Sequence, residues 1–273
     1  MFDAERIRTR TFVRHIEIHT TLGSTNDRAA ELARDSTIDL PALVVARLQT
    51  AGKGRGRNRW WSADGAITFS LLVDRATTGV QPASWPQLSL ATAVAICDAL
   101  SAELESAANP KSEIRNPKSV RRLGIKWPND VILDGGKVGG ILIESPGGAA
   151  PAKDRLIVGI GVNVNNSWRS APRSFGPNGI ALCDVTETSH NVQTVLIQTL
   201  NALQQRIRQL VNGDSTLPDA WQRLCWLTEQ GVDVHASGHW ITGVCLGIDR
   251  DGALLVENVN GVHRVRDGSV RVT

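Results

Sequence analysis

The 273-residue chain holds no pair of cysteines two residues apart, no HExxH and no unbroken apolar run of 18 residues. Its four cysteines, Cys97, Cys183, Cys225 and Cys245, are scattered. Neither a zinc cluster nor a dithiol redox pair is expected from them, and reduced thiols in a cytoplasm are the default. The opening MFDAERIRTRTFVRH has no apolar core that could serve as a signal peptide, and without an unbroken apolar run of 18 residues no membrane span is expected. Overall charge is also scarce. The formal net charge is +3, so the chain as a whole is no polycation, and a general nucleic-acid binder is disfavoured. Acidic residues are locally missing: none lies between Asp39 and Asp64.

What fills that gap is QTAGKGRGRNRWW, Gln49 to Trp61. Eight of these residues, Gly52 to Arg59, supply four cations and three glycines, and two tryptophans follow. Glycines at alternate positions expose backbone N–H groups and permit positive φ. Arginines between them offer fork-shaped donors to carboxylate or phosphate. Such a loop suits a small ligand with an apolar body and an anionic end. The competing reading is an exposed basic loop or a nucleic-acid patch.

The other glycine-rich stretches fail as phosphate motifs. Gly136-Lys137 is followed by Val138, and Val131 stands where a P-loop needs its first glycine. Gly52-Lys53-Gly54 and Gly159-Ile160-Gly161 each lack the third glycine of a dinucleotide fingerprint. His15/His19 and His235/His239 are spaced by four, but on a strand pattern and across a turn, so solvated or hydrogen-bonded histidines are expected.

Periodicity outlines two regions. Val13 to His19, Ala42 to Leu48 and Ile67 to Val73 read as strands. A helix capped by Ser24 or Thr25 runs to about Arg34, and a long one covers Trp85 to Leu104. Ile125 to Leu133, Lys137 to Glu144 and Arg155 to Val164 read as strands, with Asp134-Gly135-Gly136 a hairpin turn. Asn166 to His190 reads as loop. Val192 to Leu210 is an amphipathic helix, and Pro218 to Cys225 a shorter one. Beyond about Leu227, short strands punctuated by Asp249 to Gly252 and by Asn260-Gly261 predict a small β-barrel of SH3 type. The expected division is 1–226 and 227–273. Between residues 107 and 122, NPKS occurs twice, at Asn109 to Ser112 and Asn116 to Ser119, which reads as an exposed, mobile insertion.

Five blocks occur in order: Ser24-Thr25-Asn26, the Gln49 to Trp61 loop, KWPNDV (Lys126 to Val131), GKVGGILIE (Gly136 to Glu144) and GIGVNVN (Gly159 to Asn165). Together they resemble biotin protein ligases, from about residue 15 to the end. The resemblance implies an α+β fold: a mixed-sheet catalytic domain of the class II synthetase/biotin–lipoate ligase type, followed by an SH3-like β-barrel. It implies activation of biotin with ATP and Mg²⁺ to biotinyl-5′-AMP. Transfer to a lysine of the biotin carrier domain of acetyl-CoA carboxylase would follow. Because it begins by about residue 15, no DNA-binding repressor domain is expected, and no operator or membrane binding. A monomer or homodimer is expected. Lipoate–protein ligase is the near alternative and a nucleic-acid-binding module the distant one.

The same resemblance implies roles for residues. Ser24, Thr25, Asn26 and Gln49 match the segment that hydrogen-bonds biotin's ureido end. Lys53, Gly54 and Arg55 match the biotinyl-adenylate loop, and Lys137 and Gly140 the strand beside biotin's carboxylate. Arg55 and Lys137 are the expected catalytic cations. Arg55, Arg57, Trp60, Asn129 and Asn163 are expected at the nucleotide, and Asp130 at the metal. The chain departs from the family form GRGRxGRxW in two respects. Lys53 stands where an arginine is usual. Gly56, Arg57 and Asn58 fall out of phase with the later GR pair, while Trp60 stays in register. Arg57 or Arg59 is expected to stand in for the displaced arginine.

Overall fold

The computed structural model describes residues 2–74, 78–81, 84–107 and 123–273. The repeated NPKS segment lies outside the described residues.

A helix α1, Ala4–Arg10, opens the chain, capped by the Asp3 carboxylate accepting from the Arg6 N–H. It has one buried side chain, Ile7, too few apolar positions to stand out as periodicity. Then come β1 (His15–Leu22), α2 (Thr25–Leu32), β2 (Ala42–Gln49), β3 (Ile67–Asp74) and α3 (Trp85–Ala107). Next are β4 (Leu123–Lys126), β5 (Asp130–Leu133), β6 (Gly136–Glu144) and β7 (Arg155–Val162). These strands form one sheet in the order β1-β2-β3-β7-β6-β5-β4. β1 and β2 are parallel, and the other neighbours antiparallel, so the sheet is mixed.

The predicted strand Ile125 to Leu133 is two strands. Trp127-Pro128-Asn129 turns the chain, and Lys126 pairs back onto Asp130. Proline has no N–H with which to continue a ladder, which favours a turn here. The Asp134-Gly135 turn between β5 and β6 has positive φ at both central residues, as a tight hairpin requires.

Strand alternation assigns the two faces of the sheet. Leu43, Val45, Phe69, Leu71, Val158 and Ile160 belong to the main core, together with side chains from α3 and from α5 (Val192–Val211). α3 is apolar and long enough to cross a bilayer, but it packs as a core helix. On the other face, Ala42, Val44, Leu72 and Ile157 pack against Ala29, Leu32 and Ala33 of α2 and its end. Further along that second face the residues change. Thr68 and Ser70 on β3 pair with Gly161 and Gly159 on β7, and Gly140 on β6 pairs with Gly161. Bulk gives way to glycine and hydroxyl, and this is where the sheet opens.

The stretch from Asn166 to His190, expected as loop, instead contains short 3₁₀ turns and a helix α4, Leu182–Thr186, too short to show a period. Helix α6, Thr216–Arg223, has Pro218 in its first turn. The chain end forms a five-stranded antiparallel sheet of β8 (Gly231–Ala236), β9 (His239–Ile248), β10 (Leu254–Asn258), β11 (Gly261–Val265) and β12 (Ser269–Val272). Its order is β11-β10-β9-β8-β12, in keeping with the SH3-type expectation. Two indole donors tie it to the rest of the chain: Trp127 Nε1, in the β4–β5 turn, to the Gly252 carbonyl at 3.1 Å and Trp221 Nε1, on α6, to that of Asp249 at 2.9 Å.

Candidate functional site

A cavity of about 1180 Å³ lies over the glycine-rich part of the sheet, roofed by the Gly52–Trp61 loop and reached by the β11–β12 turn. Six Lys/Arg side chains line it (Lys53, Arg55, Arg57, Arg59, Lys126, Lys137) against two carboxylates, Asp130 and Asp267. That imbalance suits an anionic occupant.

One end is neutral and closely hydrogen-bonded. α2 begins at Thr25, with Ser24 at the cap position, yet the Ser24 side chain makes no cap bond. Instead Gln49 Oε1, at the end of β2, accepts from the Thr25 N–H at 2.7 Å and from Thr25 Oγ1 at 3.1 Å. Ser24, Thr25 and Asn26 are all buried and all line the cavity. Asn26 lies over Gly159: a Cβ there would sit 2.2 Å from Asn26 Oδ1. Gly161, two residues on, makes a niche for Trp60, and a Cβ there would sit 2.4 Å from its ring. The two niches are roughly 7 Å apart along one strand. The GxG of GIGVNVN lets two side chains lie flat on the sheet.

The other end is cationic. Lys137 Nζ pairs with Asp130 Oδ1 at 2.6 Å and stands 5.7 Å from the centre of the Trp60 ring. Gly140 faces Lys137: its missing Cβ leaves room for the lysine stem, 3.1 Å from where that Cβ would lie. Asn129 also lines the cavity, and its Nδ2 donates to the Ile141 carbonyl at 2.9 Å. Asp130 is the half-buried carboxylate here. Mg²⁺ commonly takes one or two carboxylates and completes its shell with water and substrate phosphate, so this single Asp suits it.

The loop is held from both sides. Lys53 pairs with Asp27 of α2, and that hydrogen bond pushes the lysine's pKa up, keeping it cationic. Gly54 N–H donates to the Asn58 carbonyl at 2.8 Å, closing the loop on itself. Arg55 reaches across to the small sheet and binds the Asp267 carboxylate and the Gly268 carbonyl. Asp267 is 87% exposed, and ion pairs in that setting are weak, so an anion in the cavity can compete for Arg55. Arg57 and Arg59 line the cavity too, and Arg59 stands over the Phe175 ring at 5.7 Å.

Asn163 is placed differently. It is 1% exposed, outside the cavity lining, and donates to the Ile180 carbonyl at 3.1 Å and the Lys137 carbonyl at 3.4 Å. It fastens β6 to the 166–181 segment. That segment is a cavity wall which periodicity missed. Trp168 packs on Gly179 and meets Trp61 edge-on at 5.2 Å. Asp184 shapes it, accepting from Ser167 Oγ at 2.5 Å and from the Trp168 and Ala181 N–H groups at 2.9 Å. Burial works against its charge, but those donors hold the carboxyl below the usual range. Two hydroxyls at alternate positions of an apolar strand, Thr68 and Ser70, were the available signal for Ser70.

Four likenesses bear on the chain. The model of the Biotin/lipoate A/B protein ligase family matches residues 19–163. The chain is 29% identical over 246 residues to the biotin–[acetyl-CoA-carboxylase] ligase of Mycobacterium tuberculosis, covering 89% of this chain and 84% of that one. It is 28% identical over 270 residues to the bifunctional ligase/repressor BirA of Bacillus subtilis, covering 97% and 76%. In fold it is similar to the biotin protein ligase of Aquifex aeolicus solved with biotin and ATP, with a TM-score of 0.77, 24% identity and coverage of 95% and 100%.

Proposed function

We propose, from the premise that the chain belongs to the biotin/lipoate A/B protein ligase family, that it activates biotin with ATP and transfers it to a carrier-domain lysine of a biotin-dependent carboxylase such as acetyl-CoA carboxylase. The observation that carries the reading is the two-ended cavity: a neutral Thr25–Gln49 end and a cationic Lys137–Arg55 end under one loop. Biotin has a neutral urea at one end and a carboxylate at the other. Lipoate would leave the buried donors and acceptors of the neutral end unmatched, and such sites reject ligands that lack the partner groups.

The chemistry follows from the charges. Biotin's carboxylate must approach the α-phosphorus of ATP while both are negative. Cations aimed at the reactants and at the developing phosphorane charge lower that barrier. Lys137, fixed by Asp130 and by the room over Gly140, is assigned to the carboxylate and α-phosphate. Arg55 is assigned to hold the adenylate, exchanging Asp267 for phosphate. Ser24, Thr25, Asn26 and Gln49 are assigned to the ureido end, Lys53 and Gly54 to the loop over biotin. Arg57, Trp60 and Asn129 are assigned to the nucleotide. Asp130 would hold Mg²⁺, which neutralises phosphate charge when bound. No enzyme nucleophile is needed, since the acceptor lysine attacks the mixed anhydride itself. The loop's part is to keep water from that anhydride. We read the chain as acting in the cytoplasm.

Purified protein incubated with biotin, ATP, Mg²⁺ and a biotin carrier domain should give an avidin-reactive band on the carrier. A folded enzyme that gives none with a validated acceptor refutes the proposal.

A further inference from the structure

Ser70 is a fully buried hydroxyl in the middle of ITFSLLVD, an otherwise strongly apolar strand. It does not line the cavity. Its Oγ lies 2.8 Å from Thr25 Oγ1 and 2.5 Å from Asn26 Oδ1, so it touches two residues that do.

The protons in this cluster can be assigned. Asn26 Nδ2 lies 2.6 Å from Glu144 Oε2, and a carboxylate accepts, so the amide nitrogen faces Glu144. Asn26 Oδ1 then faces Ser70 and can only accept. The single Ser70 proton is therefore spent on Asn26, and Ser70 offers Thr25 a lone pair. Thr25 has two neighbouring acceptors for its own proton, Ser70 Oγ and Gln49 Oε1, and the Ser70 contact is the shorter. Its proton is drawn inward, and its lone pairs are left for the cavity. Gln49 Oε1 already accepts the Thr25 N–H, which turns its Nε2 away from the helix towards Gly52 and the cavity. The pocket end thus presents an acceptor at Thr25 and a donor at Gln49.

We propose that Ser70 is a positioning residue that sets this polarity, so that the pocket end takes a ligand offering N–H groups beside a carbonyl, as a cyclic urea does. This rests on the reading that the Thr25–Gln49 end receives biotin's ureido ring. Without Ser70, Thr25 keeps only its longer contact to Gln49 and is free to turn its proton outward. Asn26 loses the donor to its Oδ1. Both changes weaken recognition of a urea; neither affects a dithiolane, which carries neither N–H nor carbonyl.

The test is calorimetric titration of the full chain with biotin, with lipoate and with ATP, for the wild type, Ser70→Ala and Ser70→Cys. Loss of about one net hydrogen bond predicts that Ser70→Ala raises the Kd for biotin roughly tenfold. The Kd values for lipoate and ATP should stay unchanged, and turnover should show a raised KM for biotin at unaltered kcat. Ser70→Cys keeps the volume with a weaker donor and should fall between; it decides the matter alone if Ser70→Ala does not fold. Equal weakening of biotin and lipoate, or unchanged biotin binding in the folded variants, overturns the inference. A wild type that binds no biotin overturns the reading of the pocket, and this inference with it.

Discussion

The backbone N–H of Thr25 donates to the side-chain Oε1 of Gln49 at 2.7 Å. A residue at the end of one strand thereby takes the capping role at the start of a helix 24 residues earlier. The same amide orientation leaves its nitrogen for the cavity. Helix start and ligand site are one construction, so their contributions can be separated by substitution. Gln49→Glu keeps an acceptor for the Thr25 N–H and removes the donor. The expected outcome is a thermal midpoint close to wild type, read by differential scanning calorimetry, with a KM for biotin raised about tenfold or more. Gln49→Ala should lower both stability and affinity.

Gly159 and Gly161 make the niches for Asn26 and Trp60. Adding a methyl group at either position forces a packed side chain out of place, and overpacking of this kind costs about 1–3 kcal/mol. Gly159→Ala should impair biotin binding, because Asn26 is displaced. Gly161→Ala should disturb Trp60 and with it the Lys137 end, so the KM for ATP should respond as well. Steady-state kinetics with each substrate varied in turn separates the two.

Lys137→Ala should depress adenylate formation far more than it weakens biotin binding, since the cation is assigned to the transition state. It also leaves Asp130 without its partner. Lys137→Arg keeps a charge and serves as the control for that loss. Equal rates of pyrophosphate exchange in wild type and Lys137→Ala contradict the assignment. Arg55→Gly should release adenylate, seen as biotin on bystander lysines of added albumin; labelling at the wild-type level removes Arg55 from the adenylate.

Stability should fall in acid in a defined window. Arg28 donates to both Glu17 oxygens, at 2.8 and 2.9 Å, joining α2 to β1. That bond, aided by His19, lowers the Glu17 pKa from 4.5 to about 2. A pKa depressed by folding contributes stability that is present above about 4.5 and drains away as pH falls towards 2. Glu17→Gln should lower the thermal midpoint at pH 6 and flatten its decline between pH 4.5 and 2. A parallel decline in wild type and variant counts against the linkage.

The order of the blocks and the texture of the last 45 or so residues were readable because each rests on local rules: glycine at tight turns, alternation in strands, capping before an apolar run. The split at Trp127-Pro128-Asn129 was missed because apolar residues resume just beyond Lys126 and Asp130, at Ile125 on one side and Val131 to Leu133 on the other. The 166–181 wall was missed because its Trp168 is placed by Gly179 and Asp184, contacts that no short-range period encodes. Asn163 carried the right motif, yet its side chain turns from the cavity to backbone carbonyls. Arg55 stands out in the sequence as the loop's expected adenylate cation, but nothing local shows that its partner in the structure lies 212 residues away, beside the second sheet.

The central claim is that one cavity activates biotin's carboxylate with ATP and selects its urea. The measurement that tests it most directly is ATP–pyrophosphate exchange with Mg²⁺, run with biotin and with lipoate as the only added acid. The account predicts rapid exchange with biotin and exchange near background with lipoate. Exchange driven equally well by lipoate, or absent with biotin, would contradict it.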